Sequence, residues 1–254
     1  MKLAPCLELF FKELPFPERI AKVREAGFDA AEFWHHTGKD LPAIAAACRQ
    51  HNVVITSIVG TRIHPGPNDP AQHAELTEML KAAIAAAQVI GCQRLIVLSG
   101  NTLPRVSRIR QTENIITWLG RVAPLAEEAD VTLVLENLNT LCDHPGYFLA
   151  SIEETAQIIR RVGHPRVKAL IDIYHAGIME GNLVEKIRDT IDTIGHFHAA
   201  GIPGRHEITE GEQNYPVICR AIDALGYNGY MGLEYTPLKD PMTSLIEARR
   251  WIKG

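Results

Sequence analysis

Four ionisable residues stand at the ends of four successive apolar segments in the second half of the chain. The segments V-T-L-V-L-E, V-K-A-L-I-D, I-G-H-F-H and Y-M-G-L-E end at Glu136, Asp172, His198 and Glu234. The residues before each are mostly apolar, so we expect these side chains to be partly shielded from water. Three carboxylates in such surroundings repel one another strongly unless a cation neutralises them. The pattern predicts one divalent metal ion held by these four residues.

The predicted ligand set contains three carboxylates and one imidazole. A mainly oxygen site of this kind suits Mg²⁺, Mn²⁺ or Co²⁺ better than a thiolate-bound structural zinc. Four protein ligands leave positions free in an octahedral shell, so a substrate can bind through two adjacent oxygens. The alternative is that each acid pairs with a nearby base, such as Arg205 or His175, and holds no metal. The repetition at four strand ends favours the metal.

A metal site with several carboxylates suits proton abstraction beside a carbonyl group. The ion polarises the carbonyl and an adjacent hydroxyl, which stabilises an enediolate. One carboxylate removes a proton, and another returns it at the neighbouring carbon or on the opposite face. Glu136 and Glu234 form the natural pair, because their segments are three strands apart. We expect His175 and Arg205 to stabilise the negative charge that develops on oxygen.

Other polar and aromatic residues follow the apolar segments of the first half of the chain. Trp34, His35 and His36 follow the second segment, and His64 follows the third. Trp34 is expected to shield the pocket from water, and Trp34 and His64 are predicted substrate contacts. A single histidine in a loop is more often only solvated, which is the alternative for His35, His36 and His64.

Eight β-branched segments alternate with eight amphipathic or Ala-rich segments along the chain. The predicted strands are residues 3–9, 29–34, 53–60, 94–99, 131–136, 167–173, 194–199 and 229–235. The predicted helices are residues 17–27, 39–51, 70–91, 108–129, 151–163, 180–191, 212–225 and 241–253. This alternation predicts a single-domain (β/α)8 TIM barrel over residues 1–254, in which strand ends on one face build the active site. An open doubly wound sheet fits less well, since no G-x-G-x-x-G follows the first strand.

Local signals at the predicted helix ends agree with these boundaries. Gly27, Gly91, Gly163 and Gly226 each follow a helical segment, where glycine adopts the left-handed conformation at no steric cost. Ser151 and Glu154 have the spacing of a capping box at the start of a helix. The predicted helices therefore end before each of these strands begins.

Composition restricts the class of partner and the cellular compartment. The 254 residues are 46% apolar and 22% charged, with a net charge of −4 and a pI of about 6.3. Nucleic acid is an unfavourable partner for such a chain, because binding to phosphates depends on clustered Lys and Arg. The N-terminus contains no long apolar segment, so we expect a cytoplasmic protein with no membrane association. The oligomeric state stays open, a homo-oligomer included.

The cysteine pattern agrees with a reducing compartment. The five cysteines are scattered singly without a C-x-x-C pair, which predicts reduced thiols. Most lie in apolar segments, where cysteine acts as a small hydrophobic residue. Cys142 differs, because it lies in the loop predicted to follow Glu136, close to the site.

Several strings of residues in the second half of the chain resemble a known family. They are L-E-N-L-N-T, D-H-P-G-Y-F, D-I-Y-H, P-G-R-H-E, G-E-x-N-Y-P and L-G-Y-N-G-Y-M-G-L-E-Y. Together they are similar to the hydroxypyruvate isomerase family of the xylose-isomerase-like barrels. The resemblance covers the whole chain and is strongest from Val131 to Pro237.

The resemblance implies roles for individual residues and a class of substrate. Glu136 and Glu234 are implied to be both metal ligands and the acid/base pair, and Asp172 completes the coordination. His175 and Arg205 are implied to contact the substrate. The substrate implied is a small oxo acid or sugar, with hydroxypyruvate and tartronate semialdehyde as the type pair.

Two positions depart from the family pattern in opposite directions. His198 stands where the isomerases carry glutamine, whereas the related ketose 3-epimerases have a metal-binding histidine there. Those epimerases carry a further glutamate at the position of Cys142, and the loop G-I-P-G-R-H-E is closer to the isomerases. We therefore expect an isomerase of a small hydroxy-carbonyl compound, with ketose 3-epimerase as the alternative.

Two more distant alternatives share the predicted barrel. A metal-dependent DNA repair endonuclease would need more ligands near strands two to four, where His35 and His64 could serve, and a basic face for DNA. The negative net charge argues against it. A catalytically idle sugar-binding barrel is disfavoured by Glu136 and Glu234, since binding alone does not require two proton-transfer groups.

Overall fold

Parallel strands form the inner layer of the protein, which we describe over residues 1–253 from a computed structural model. The strands are β1 (Lys2–Pro5), β2 (Ala30–Ala31), β3 (Val54–Ile55), β4 (Ile58–Val59), β5 (Arg94–Leu98), β6 (Thr132–Glu136), β7 (Val167–Asp172), β8 (Ile194–Ala199) and β9 (Tyr230–Leu233). Only Thr56 and Ser57 separate β3 from β4, so these two strands occupy one position. The described strands therefore fill eight positions.

The strands close into a barrel. Seven are paired in the order β1-β9-β8-β7-β6-β5-β4, and β2 pairs with β3. An isolated parallel bridge between Cys6 and Glu32 joins the end of β1 to the end of β2. The continuous segment from β3 to β4 completes the circle. The (β/α)8 TIM barrel prediction is thus confirmed.

Helices surround the barrel in the described part of the chain. They are α1 (Phe16–Glu25), α2 (Leu41–His51), α3 (His73–Ile90), α4 (Arg108–Glu128), α5 (Ile152–Val162), α6 (Ile173–Met179), α7 (Leu183–Thr190), α8 (Tyr215–Ala224) and α9 (Pro241–Lys253). Short 3₁₀ turns at Pro70–Gln72 and Ile191–Thr193 precede α3 and follow α7. None of the helices within residues 1–253 has an apolar stretch that could cross a membrane.

One helix differs from the sequence prediction. The strand expected over 167–173 ends at Asp172, and α6 begins at the next residue, in a part of the chain where no helix was predicted. The Asp172 carboxylate accepts a hydrogen bond from the backbone N–H of His175 at 3.0 Å and so caps α6. The apolar run continues from strand to helix without a glycine or proline between them. The hydrophobic pattern therefore does not mark the boundary.

The strand ends on the first side of the barrel are also shorter than predicted. The strand expected over 3–9 ends at Pro5, and the strand expected over 29–34 reduces to Ala30–Ala31. Beyond these points the backbone continues in bends and turns. The apolar residues there still pack in the core, because Leu7 and Phe33 are both buried. At these positions the apolar pattern indicates burial of the side chains but not pairing of the backbone in a strand.

The helix-end signals are largely confirmed. Gly91 and Gly163 have φ of 68° and 65° and end α3 and α5 in the left-handed conformation. Ser151 caps α5 by accepting the backbone N–H of Glu154 at 3.4 Å. A capping box also requires the Glu154 side chain to accept the backbone N–H of Ser151. This part of the prediction is wrong, because the Glu154 side chain pairs with Arg108 on α4 instead.

Trp118 on α4 is one of the largest fully buried side chains of the core. Its indole N–H lies 3.1 Å from the Thr77 hydroxyl oxygen and 3.2 Å from the carbonyl oxygen of His73, both on α3. The indole therefore fills space in the helical layer and ties α4 to α3. Trp251 on α9 is 47% exposed and provides a natural comparison.

Replacement of Trp118 with alanine should lower the free energy of unfolding by about 3–5 kcal/mol, because it leaves a cavity and removes the indole donor. The matched variant Trp251→Ala should change it by at most about 1 kcal/mol. Urea denaturation followed by circular dichroism measures both values. Equal losses for the two variants would contradict the assignment of Trp118 to the core.

Candidate active site

The four predicted metal ligands converge at the carboxyl ends of β6 to β9. Glu136 and Asp172 are the last residues of β6 and β7, His198 lies near the end of β8, and Glu234 follows β9. All four are at least 95% buried. One ligand atom from each lies within 4.8 Å of the others. The parallel register causes this convergence, since Asp172 is paired with His198.

His198 is at the centre of this group. Its Nδ1 atom lies 3.2 Å from Oε1 of Glu136, 3.5 Å from Oε2 of Glu234 and 3.9 Å from Oδ2 of Asp172. Nδ1 of His198 and Oε1 of Glu136 are buried and have no hydrogen-bond partner. Buried polar atoms are rarely left unpaired in folded proteins. The donor set and its unpaired inward-facing atoms fit a divalent cation with oxygen and nitrogen ligands.

The electrostatics of the group show how strongly it favours positive charge. Burial raises the pKa of Glu136 to about 7, and the carboxylates of Glu234 and Asp172 add to this, whereas His198 opposes it. Burial would lower the pKa of His198, but the carboxylates of Glu32 and Glu234 raise it well above the ordinary value. Without a cation, Glu136 and His198 therefore tend to keep their protons, which offset part of the negative charge of the group.

Glu234 behaves differently from Glu136 because two donors hold it. The indole N–H of Trp34 donates to Oε1, and the guanidinium of Arg205 donates to Oε2. Burial would raise the pKa of Glu234, but His198 and Arg205 outweigh it and hold the pKa well below its ordinary range. The alternative in which an acid pairs with a base thus applies to Glu234 and Arg205. Asp172 lies beside the other base, with Oδ2 at 3.6 Å from Nε2 of His175, but that ring is neutral and gives Asp172 no charged partner.

The side chain of His175 is buried beside Asp172. The side-chain carbonyl oxygen of Asn139 accepts hydrogen bonds from the backbone N–H groups of Cys142 and Asp143. This fixes the orientation of the amide, so its nitrogen donates to Nδ1 of His175 at 2.7 Å. Burial lowers the pKa of His175 to about 4, which keeps the ring neutral. Its proton is therefore on Nε2, an atom that is buried and has no hydrogen-bond partner. His175 can donate this hydrogen bond to a substrate oxygen.

The loop histidines of the first half differ from the predicted metal ligands in burial. His64 is exposed in the loop after β4, where the peptide bond to Pro65 is cis. His35 is exposed and His36 is half-buried. None of the three belongs to the clusters of candidate metal ligands found within residues 1–253. Trp34, by contrast, reaches the site through its contact with Glu234.

Sequence reasoning missed Glu32 and His196, which form a second buried layer under His198. Oε2 of Glu32 lies 2.9 Å from Nε2 of His196 and accepts the hydroxyls of Ser57 and Thr56 at 3.0 and 3.2 Å. Two signals were present. Glu32 interrupts an apolar strand, and His196 is two residues before His198, which places both on one face of β8.

Comparison with known proteins places the chain in an enzyme family. The profile of a family described as "Xylose isomerase-like TIM barrel" matches residues 20–254. A 2-oxo-tetronate isomerase of Cupriavidus necator is 31% identical, with 93% of this chain and 93% of that protein covered. A putative hydroxypyruvate isomerase of Homo sapiens is 28% identical, with 100% and 95% covered.

Solved structures share the fold closely. The structure titled AP endonuclease, family 2, from Brucella melitensis has a TM-score of 0.90 at 30% identity, with 96% of this chain and 97% of that chain covered. A D-psicose 3-epimerase from Clostridium cellulolyticum H10 has a TM-score of 0.83 at 18% identity, with 100% and 98% covered. The chain therefore belongs to the xylose isomerase-like TIM barrel family and, within it, to the hydroxypyruvate isomerase family of isomerase enzymes.

Proposed function

We propose that the protein is a metal-dependent isomerase of a small hydroxy-carbonyl compound. The substrate is hydroxypyruvate, tartronate semialdehyde or a related keto acid or sugar. The observation that carries this proposal is the convergence of Glu136, Asp172, His198 and Glu234 on one buried point. The names of the relatives, which include hydroxypyruvate and 2-oxo-tetronate isomerases, support the class of reaction.

Glu136, Asp172, His198 and Glu234 are the residues that would hold a single Mg²⁺, Mn²⁺ or Co²⁺ ion. Such an ion would polarise the carbonyl and the neighbouring hydroxyl of the substrate and stabilise negative charge on their oxygens. The unpaired atoms of Glu136 and His198 support this assignment, because a cation would satisfy both.

Glu136 and Glu234 are the acid/base pair in the proposed reaction. In hydroxypyruvate, one of them removes a proton from C3 and gives an enediolate. The other delivers a proton to C2, while the hydroxyl proton moves from the C3 oxygen to the C2 oxygen. Without an ion, the pKa values of the two glutamates are displaced in opposite directions, so their surroundings distinguish the two carboxyl groups.

The substrate contacts are assigned to His175, Arg205, Trp34 and His64. The neutral ring of His175 offers its free Nε2–H to a substrate oxygen. Arg205 supplies positive charge next to Glu234 and so stabilises the enediolate. Trp34 fixes the other oxygen of Glu234 and limits the access of water. His64 has the weakest support among the four, because it is exposed.

A ketose 3-epimerase is the second candidate, and His198 is the observation that favours it. The first proton transfer would be the same, but the second glutamate would return the proton to the same carbon from the opposite face. NMR of product mixtures separates the two reactions, since isomerisation moves the carbonyl group and epimerisation inverts one carbon. A screen of hydroxypyruvate and several ketoses with Mn²⁺, Mg²⁺ and Co²⁺ provides this test.

The structure gives less support to the endonuclease alternative. The additional ligands expected near strands two to four are His35 and His64, and within residues 1–253 neither joins a candidate metal cluster. The net charge of −4 also gives no general attraction for DNA. Cleavage of a duplex that contains an abasic site would overturn the isomerase proposal.

Affinity for Mn²⁺ should rise as the pH increases from about 6 to about 8, because the ion competes with protons at the site. Glu136, with a pKa of about 7, faces His198, Asp172 and Glu234 and is more protonated at the lower pH. Binding should therefore release more protons near pH 6 than near pH 8. Isothermal titration calorimetry of chelator-treated protein in two buffers of different ionisation enthalpy measures both effects.

The control for this titration is Glu136→Gln, which keeps the shape of the side chain and removes its titration. The variant should bind Mn²⁺ more weakly and show a smaller change in proton release with pH. Wild-type protein that binds no divalent ion would contradict the proposed function.

Turnover in deuterated water should place solvent deuterium on the reacting carbon of the product, because the proton passes through a carboxyl group that exchanges with water. Glu136→Gln and Glu234→Gln should each lower kcat by at least about 100-fold. Proton NMR of the product and initial rates measure these effects. Glu128→Gln, an exposed substitution at the end of α4, should leave kcat unchanged. Near-normal turnover in either active-site variant would remove that glutamate from the acid/base pair.

A further inference from the structure

Glu32 lies on the opposite side of His198 from the other carboxylates. It follows β2, is 2% exposed and lies more than 100 residues in sequence from each of the four proposed ligands. Its Oε2 atom is fully used by Ser57, Thr56 and His196. Its Oε1 atom is buried and has no hydrogen-bond partner. Oε1 of Glu32 is therefore available to accept a further hydrogen bond.

The nearest candidate for that oxygen is the second nitrogen of His198. Nε2 of His198 lies 3.2 Å from Oε1 of Glu32 and is likewise buried without a hydrogen-bond partner. A small rotation of the ring would align an Nε2–H donor with the Glu32 acceptor and satisfy both atoms. A neutral imidazole carries one proton, so this proton on Nε2 leaves a lone pair on Nδ1. Nδ1 faces Glu136, Asp172 and Glu234.

Gly232 on β9 provides the space for this contact. A Cβ atom at this position would lie 1.9 Å from Oε1 of Glu32 and 2.7 Å from Cδ2 of His198. Any other residue would therefore push apart the carboxylate and the imidazole. Gly232 is also paired with His198 in the parallel register of β8 and β9. The absence of a side chain at Gly232 thus allows Glu32 and His198 to approach each other.

We propose that Glu32 is a positioning residue that accepts a hydrogen bond from Nε2 of His198 and directs the Nδ1 lone pair to the metal site. The inference rests on the proposed function for the identity of the site, but the contact itself does not. Histidine ligands in metalloproteins commonly donate their second N–H to a carboxylate, which fixes the tautomer and the ring orientation. Glu32 would serve in this way without touching substrate or ion.

The Glu32→Gln variant tests the role with little change of shape. Its single oxygen should take the position that accepts from Ser57, Thr56 and His196, which turns the NH₂ group towards Nε2 of His198. Nε2 must then accept, and a neutral ring carries its proton on Nδ1, where it blocks the ion. Loss of such a carboxylate typically weakens metal binding by about 10- to 100-fold. We expect a rise of this size in the Mn²⁺ dissociation constant.

The matched control is Ser57→Ala, which removes one donor to Oε2 of Glu32 and leaves Oε1 and its charge in place. Its Mn²⁺ dissociation constant should stay close to that of the wild type. Thermal unfolding of both variants shows whether they are folded. Wild-type affinity in folded Glu32→Gln, or an equal loss in Ser57→Ala, would overturn the proposal.

A second readout needs no variant and no bound ion. Long-range ¹H–¹⁵N NMR of the wild-type protein reports which ring nitrogen of His198 carries a proton. We expect a protonated Nε2 and an unprotonated Nδ1 with Mg²⁺ bound, and the same tautomer in chelator-treated protein at a pH high enough to make the ring neutral. An unprotonated Nε2 in the neutral ring would overturn the proposal. If wild-type protein binds no Mn²⁺, the proposed function fails, whereas the NMR result still decides whether Glu32 holds His198.

Discussion

The repulsion among buried carboxylates is the constraint on which the rest of the site depends. Glu32, Glu136, Asp172 and Glu234 are all buried around a single imidazole, His198. Among the described residues, Arg205 is the permanently charged side chain that pairs with this group, and its partner there is Glu234. Burial of several like charges is tolerated only with compensation. Protons or a divalent cation must supply that compensation, and this requirement connects the fold to the proposed chemistry.

The barrel makes this concentration of charge available. Parallel pairing brings the ends of β6, β7, β8 and β9 to one face, and the register places Asp172, His198 and Gly232 side by side. Gly232 leaves room for Glu32 below the imidazole. Three of the proposed ligands thus lie on strands and Glu234 follows one directly, which suits a site that must hold fixed geometry while protons move.

The sequence predicted more of the barrel than of the site. The alternation of segments was sufficient to predict the eight strand positions, because parallel barrel strands are buried on both sides and form apolar runs in the sequence. The ligands were found because they end those runs. The α6 helix was missed, since Asp172 ends a strand and caps a helix at once, and no glycine or proline marks the change.

Glu32 and His196 were missed for a different reason. They lie within or beside apolar strands, and their partners are far away in sequence, so only the folded barrel shows that they share one hydrogen-bond network. The hydrogen bonds of His175 and Glu234 also depend on loop conformations that periodicity does not report. Sequence patterns identified which residues are buried, but not which atoms remain unpaired.

Anomalous diffraction from crystals grown with Mn²⁺ tests directly whether this group of carboxylates and His198 binds one ion. We expect one strong peak within bonding distance of Nδ1 of His198 and of carboxylate oxygens of Glu136, Asp172 and Glu234. No peak at this position under saturating Mn²⁺, or an ion bound elsewhere in the barrel, would contradict the proposed metal site.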